Sequence, residues 1–355
     1  MLFRSLLNGD LNVSLDYFVR YSKDMLLYKS IRRSTGFDNV YTNAGEVRNR
    51  GFEFSVNYNK RLNKDWTIGA TLTGSSLSNK ITKLDEDIFS DCGGGNDGTN
   101  IDGSNVQAVD TNGFFWANHS ICREGYAVGS FYGYKFDGVF KNQEEIDAMN
   151  NIAREAYAKA HPGTTQEELN GIYAQNKFTA PGDARFKDLN GDGIIDDNDM
   201  TVIGNGFPKF NFGLTLNASY KNWDISVYTY GVLGQDILSY SAMRLESIGS
   251  GDESKNAVLK DAFHNAWTAE NPNASLPRLV ILDNNHNTRC SDLWVKNGNF
   301  FKINNLQIGY TFDRKLLAPL KLTSARVSFS ISNLLCISPY NKYGDPECGQ
   351  GSLLY

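Results

Sequence analysis

The run Asp188-Leu189-Asn190-Gly191-Asp192-Gly193-Ile194-Ile195-Asp196-Asp197-Asn198-Asp199 is the one constellation in this chain whose residue types and spacing suit a site. Side-chain oxygens fall at positions 1, 3, 5, 9 and 12 of it, on Asp188, Asn190, Asp192, Asp196 and Asp199. The backbone carbonyl of Ile194 falls at position 7. A hard cation such as Ca2+ takes six to eight oxygens, and this spacing delivers them from one turn of chain. Gly193 stands at position 6, where such a loop turns sharply. Asp199 replaces the longer Glu that would reach the ion with both oxygens, so the expected affinity is in the extracellular range of about 10⁻⁴–10⁻³ M. The same residues can also make an ion-free polar turn in which Asp and Asn side chains cap backbone amides. A bound ion is expected to stiffen the loop ahead of the strand that begins near Phe210.

Other candidate groups are weaker. His119, His161, His264 and His286 show no HxH or HExxH spacing and are expected to be solvated or locally hydrogen-bonded. Gly93-Gly94-Gly95 lacks the following helix that a phosphate cradle needs. Neither a GxSxG nor a Walker loop is present, and no enzyme activity is expected. Phe114, Phe115, Trp116, Tyr132 and Tyr134 could stack on sugar rings or pack inside a loop domain. The five cysteines have no metal-type spacing; Cys92 and Cys122 are close enough in sequence to pair within one loop.

The elements that must position these residues read as β-structure. The chain has 355 residues, 41% of them hydrophobic, and a formal net charge of −5. That acidic balance gives no support to a nucleic-acid partner. No stretch approaches the roughly 18 apolar residues of a transmembrane helix, a criterion that a β-barrel escapes because its strands alternate. Apolar residues occupy every second position in Leu11–Tyr17, Phe52–Tyr58, Trp66–Leu72, Phe210–Tyr220, Trp223–Thr229, Leu306–Phe312 and Ala325–Ile331. Successive strand residues point to opposite faces, so each run has one greasy and one wet side. Aromatic residues gather near the ends of these runs, as interfacial girdles require.

Connection lengths favour a membrane barrel over a soluble sandwich. The links after runs two, four and six are short, whereas those after runs one (about 22–50), three (76–207) and five (232–299) are long. Short periplasmic turns alternating with long extracellular loops are the mark of a transmembrane barrel. On that parity Ser130–Phe140 and a helix over Glu144–Ala160, with Ile146, Met149 and Ala153 on one side, belong to an extracellular loop. Seven strands leave two unpaired edges, at several kcal/mol per unsatisfied backbone group in hydrocarbon. They are therefore expected to be part of a larger barrel, and Met1–Asp10 is not expected to be a signal peptide.

Motifs spread along the chain resemble the C-terminal half of SusC/RagA-type TonB-dependent outer-membrane transporters. They are Asn43-Ala44-Gly45-Glu46-Val47-Arg48-Asn49-Arg50-Gly51-Phe52-Glu53, Glu124–Tyr126 with Phe131–Tyr134, and Gly182-Asp183 followed by Asp188–Gly193. Further on come Trp267–Pro272, Gly298–Ile303 with Gly309–Phe312, and Asn333-Leu334 with Gly344–Glu347. The resemblance implies that residues 1–355 are part of a 22-stranded antiparallel barrel importing glycans or peptides. It also implies a SusD-like surface lipoprotein over the extracellular loops and energy delivered by TonB. The family's plug, TonB box and final strand have no counterpart among these residues, and Tyr340–Gly344 departs from the usual spacing. The polar residues Glu53, Asn57, Asn211 and Thr215 are then expected to face the barrel interior, with lipid outside. The alternative is a calcium-dependent surface-binding or adhesin module without a channel, which an uncovered apolar face would disfavour.

Overall fold

The computed structural model describes residues 2–30, 39–84, 88–90, 120–248, 257–281 and 283–347. Along the chain, β1 (Leu2–Leu6) turns into three long strands, β2 (Leu11–Ser30), β3 (Asn39–Arg61) and β4 (Trp66–Leu84). Short pieces follow: β5 (Ile88–Ser90), β6 (Ser120–Cys122), β7 (Ser130–Gly133), β8 (Phe136–Val139), helices α1 (Gln143–Ala160) and α2 (Gln166–Asn170), β9 (Ala184–Phe186) and β10 (Thr201–Gly204). The hairpin β11 (Phe210–Tyr220) and β12 (Trp223–Leu233) leads to β13 (Asp236–Leu238), α3 (Tyr240–Glu246), α4 (Lys260–Asn265) and β14 (Val295–Asn297). The described part ends with β15 (Phe300–Thr311), α5 (Arg314–Leu317) and β16 (Arg326–Ile337).

One antiparallel eight-stranded sheet runs in the order β1-β2-β3-β4-β11-β12-β15-β16. The alternation in the sequence picks out seven of these strands. The eighth, β1, pairs Leu2 with Leu15, Arg4 with Val13 and Leu6 with Leu11. Arg4 interrupts its apolar side, so no period is legible there. Three strands are also longer than the apolar alternation: β2, β3 and β4 have 20, 23 and 19 residues. Backbone pairing therefore continues through most of the expected link between runs one and two, and β4 carries paired backbone to Leu84 inside the 76–207 segment.

The register lines up the apolar residues into rows. Leu11, Tyr58, Ala70, Leu216, Val227, Leu306 and Ile331 stand opposite one another across seven successive strands. These rows are not covered. Phe329 is 65% exposed, Val327 63% and Trp223 54%. In a soluble sandwich the same residues would form the core against a second sheet.

The core lies elsewhere, in the segments between the strands. Phe131, Ile203, Leu238, Met243, Cys290 and Trp294 form one buried cluster, and Tyr134, Ala184, Phe186 and Ile195 form another. Neither Ser130–Gly133 nor Phe136–Val139 joins the large sheet. Helix α1 appears where the sequence places it, its start capped by the Asn142 side chain accepting from the Glu145 amide. Ile146 and Ala153 are buried, and Met149 packs against the cluster of Tyr134, Ala184, Phe186 and Ile195. The connections at one end of the sheet are the tight ones (7–10, 62–65, 221–222 and 312–325), and the globular cap stands at the other.

Candidate functional site

The polar side of the sheet carries an open groove of about 430 Å³. Ser14, Asp16, Glu53, Ser55, Thr73, Ser75, Asn211, Tyr228 and Tyr230 line it. Asp16 and Glu53 are direct cross-strand partners, as are Ser14 and Ser55. Tyr230 donates its hydroxyl to Asn211 Oδ1 at 3.4 Å, and Asn57 Nδ2 donates to Thr71 Oγ1 at 2.8 Å. Glu53 and Asn211, read as interior-facing from the sequence, meet here. Asn57 and Thr215 lie on the same side, each four residues closer to the tight turns than Glu53 and Asn211, in one row through Thr71. Such a surface offers hydroxyls, amides and two carboxylates to a polar guest, with two tyrosine rings for stacking.

Lys302, which stands opposite Tyr230, escaped the sequence reading. It is buried on this side and forms ion pairs with Glu347 and, at 3.7 Å, with Asp345. The segment 338–347 is thereby folded back onto the top of the sheet. The only sequence sign of Lys302 is its parity: it falls between Phe301 and Ile303, both on the apolar side.

Further toward the cap, the wet side of β4 is covered. The Asn79 side chain accepts from the Val128 amide at 2.8 Å, and Ile81 exchanges backbone hydrogen bonds with Tyr126 and Gly125. Within the cap, the fully buried Asp183 accepts from Arg278 Nε at 2.6 Å and from Asn287 Nδ2 at 3.0 Å. Glu246 accepts from Lys296 at 2.8 Å, Lys342 at 3.3 Å and the Tyr343 hydroxyl. Burial alone would raise the Glu246 carboxyl; Lys296, Tyr343 and Lys342 outweigh it and hold the group below its ordinary value.

The calcium-type loop folds back on itself. Asp188 accepts from the Gly191 and Gly193 amides at 2.6 and 2.7 Å, Asn190 from Asp192 at 2.8 Å, and Asp192 from Ile194 at 2.8 Å. Asp196 takes the Asn198 amide. Asp199, fully buried, takes the amides of Leu189, Asn190 and Asp196. These bonds tie the loop's side-chain oxygens to its own backbone amides. Among the described residues no three His, Cys, Asp or Glu side chains are gathered for a metal ion. The donor chemistry fits a hard cation; the side chains as placed serve the backbone. Gly193 is held for packing as well as for turning: its φ is +82°, and a Cβ there would lie 2.9 Å from Ala153 Cα on α1. The Tyr134 hydroxyl donates to Asp197 at 3.1 Å and ties the loop to the cap core.

Tyr132 and Tyr134 are buried, so packing and not sugar stacking occupies them. His161 makes the local bond expected of it, to the Tyr157 carbonyl. Cys92, Gly93–Gly95, Phe114, Phe115, Trp116 and His119 lie outside the described residues.

Comparison with known proteins then gives the sheet a context. No family model matches the chain. TonB-dependent receptor P3 of Formosa agariphila is 28% identical over 345 residues, 97% of this chain and 29% of that receptor. TonB-dependent receptor SusC of Bacteroides thetaiotaomicron is 26% identical over 356 residues, again 97% of this chain and 28% of SusC. This chain resembles the SusC/RagA-type TonB-dependent receptors. The RagAB peptide transporter superposes with a TM-score of 0.68 at 20% identity, covering 98% of this chain and 32% of that one. The chain thus spans about three-tenths of the length of these relatives. The likeness assigns it to the outer membrane. Its relatives are named receptors and transporters, not enzymes.

Proposed function

We propose that the chain is the C-terminal part of the barrel of an outer-membrane TonB-dependent importer. Its apolar rows face lipid, and its polar side, with the Asp16–Tyr230 groove, faces the interior. The observation that carries this reading is the register-matched apolar row that crosses seven strands and stays uncovered. An apolar surface of that extent in water would aggregate; in hydrocarbon it is at equilibrium. A full barrel of 22 strands would contain this sheet as one sector, and the cap would stand on the extracellular side.

The cargo is proposed to be a glycan or an oligopeptide, handed over by a SusD-like lipoprotein seated on the cap. Two things support that class: SusC and the RagAB peptide transporter are the relatives, and the groove is polar and tyrosine-bearing. TonB would act through plug and TonB-box regions that none of these residues supplies. Calcium at Asp188, Asn190, Asp192, Ile194, Asp196 and Asp199 remains a proposal resting on their spacing.

Cysteine accessibility tests the orientation. In outer membranes, Phe329→Cys should resist a water-soluble maleimide until the bilayer is dissolved, whereas Thr215→Cys should react once cargo or plug is displaced by denaturant short of barrel unfolding. Rapid labelling of Phe329→Cys in intact membranes would defeat the lipid-facing assignment.

A further inference from the structure

The outward side of β3 and β4 changes chemistry where the apolar band ends. From Trp66 to Ser76 the strand advances ten residues, about 33 Å along its length. At the usual tilt that is a height of about 25 Å, the thickness of a barrel's apolar band. The next outward positions are Arg50 opposite Ser78 and Arg48 opposite Lys80. On β2, Tyr21 lies opposite Arg48, and Tyr17, 65% exposed, lies opposite Phe52. The inward side at the same height is sealed: Val47 and Ile81 are paired and buried beneath the segment 125–128. Arg48, Arg50 and Lys80 therefore project away from the cap core, at the height of lipid headgroups.

Like charges directly across a ladder are destabilising unless an anion lies between them. None of the three takes part in an ion pair among the described residues, and Nε of Arg48 is buried without a hydrogen-bond partner. Arginine's fork matches phosphate oxygens in pairs, lysine adds a point charge, and flanking tyrosines suit the interface. We infer that Arg48, Arg50 and Lys80 form a site for the phosphate of a lipid headgroup in the leaflet at the cap end. The inference rests on the barrel orientation proposed above.

Native mass spectrometry of the protein extracted from outer membranes in mild detergent tests it, with lipid A and dephosphorylated lipid A as probes. The wild type should retain the phosphorylated lipid, and R48Q/R50Q/K80Q should retain it at least about tenfold less, since basic residues at the membrane surface draw anionic headgroups. K141Q, a change at an exposed lysine of the cap, should leave retention unchanged. Equal retention by the triple variant, or equal retention of the dephosphorylated lipid, overturns the inference and leaves the barrel reading standing. Absence of the protein from the outer-membrane fraction overturns both. Should the triple variant lose the heat-modifiable mobility of a folded barrel, R50Q alone decides the matter on the same readout.

Discussion

Trp66 and Tyr220 lie side by side, ring centroids 4.7 Å apart, at the edge where the sheet meets its tight turns. Trp223 and Tyr310 repeat the arrangement at 4.8 Å two strands further on. Register links the two pairs, since Tyr220 stands opposite Trp223. Indole and phenol rings settle at the level of headgroups because one end is apolar and the other wet. Tryptophan fluorescence from Trp223 should accordingly be quenched more by bromines placed near the headgroup than by bromines at mid-chain. The reverse order would remove the girdle.

Above that girdle the phenylalanines of the apolar side lie against glycines. Phe54, Phe210, Phe212 and Phe301 form a file with ring centroids 6.0–6.4 Å apart. A Cβ on Gly231 would sit 2.3 Å from Phe212 Cζ, and one on Gly74 2.3 Å from Phe54 Cε1. Gly231→Ala should cost about 1–3 kcal/mol by overpacking, because Phe212 has rings on both sides and little room to turn. Gly69→Ala, whose new carbon would meet nothing closer than 3.7 Å, should be nearly neutral. Urea-unfolding midpoints in detergent or liposomes compare the two; equal midpoints would contradict the packing account.

The cap depends on one pair far apart in sequence. Asp183 and Arg278 are 95 residues apart, and the aspartate is fully buried. Asp183→Ala would strip Arg278 and Asn287 of their acceptor, a loss of about 3–5 kcal/mol for a broken buried pair. Limited proteolysis should then cut the cap at far lower protease concentration than in the wild type. Adding Arg278→Met to Asp183→Ala should restore part of the resistance, since the stranded charge is gone; no recovery would point instead to Asn287 and to the Ala180 amide, which Asp183 also accepts at 2.9 Å.

The contrast between sheet and cap explains what was legible in the sequence. A lipid-facing strand must keep one side apolar, so Phe210–Tyr220 and Trp223–Thr229 show their period without any knowledge of neighbours. Where that demand stops, as at Arg48 and Arg50, β3 continues with no period to mark it. Arg4 hides β1 in the same manner. The cap obeys no such local rule: Phe131, Ile203, Leu238 and Trp294 come from four separate segments. The groove residues Glu53 and Asn211 were readable by parity. Lys302 shares that parity, but its ion pair left no local mark, because its partner Glu347 lies 45 residues on.

Acid should loosen the cap through Glu246. Lys296, Lys342 and Tyr343 hold its folded-state carboxyl below the ordinary value of 4.5, against the opposing effect of burial. A group depressed on folding adds stability that is complete above the unfolded value and drains away as pH falls through the folded one. Protease resistance of the cap should thus hold down to about pH 4.5 and decline below it. Glu246→Gln keeps one acceptor and removes the charge, so its resistance should be lower at pH 7 and flatter with acid. A variant as acid-sensitive as the wild type would put the sensitivity elsewhere.

Calcium is testable against the hydrogen bonds the loop already makes. Asp192 is exposed and serves only its neighbours, accepting from Ile194 and Asn190. Asp199 is buried and ties three amides together. If an ion binds, Asp192→Ala should weaken it by about tenfold or more while sparing the cap, as loss of one of five side-chain ligands requires. Asp199→Ala should loosen the loop with or without calcium, since buried amides lose their acceptor at about 1–3 kcal/mol. Titration calorimetry on the intact protein should give a dissociation constant of about 10⁻⁴–10⁻³ M for the wild type. No heat at millimolar calcium, with Asp199→Ala still opening the loop, would leave these carboxylates as caps for the backbone and nothing more.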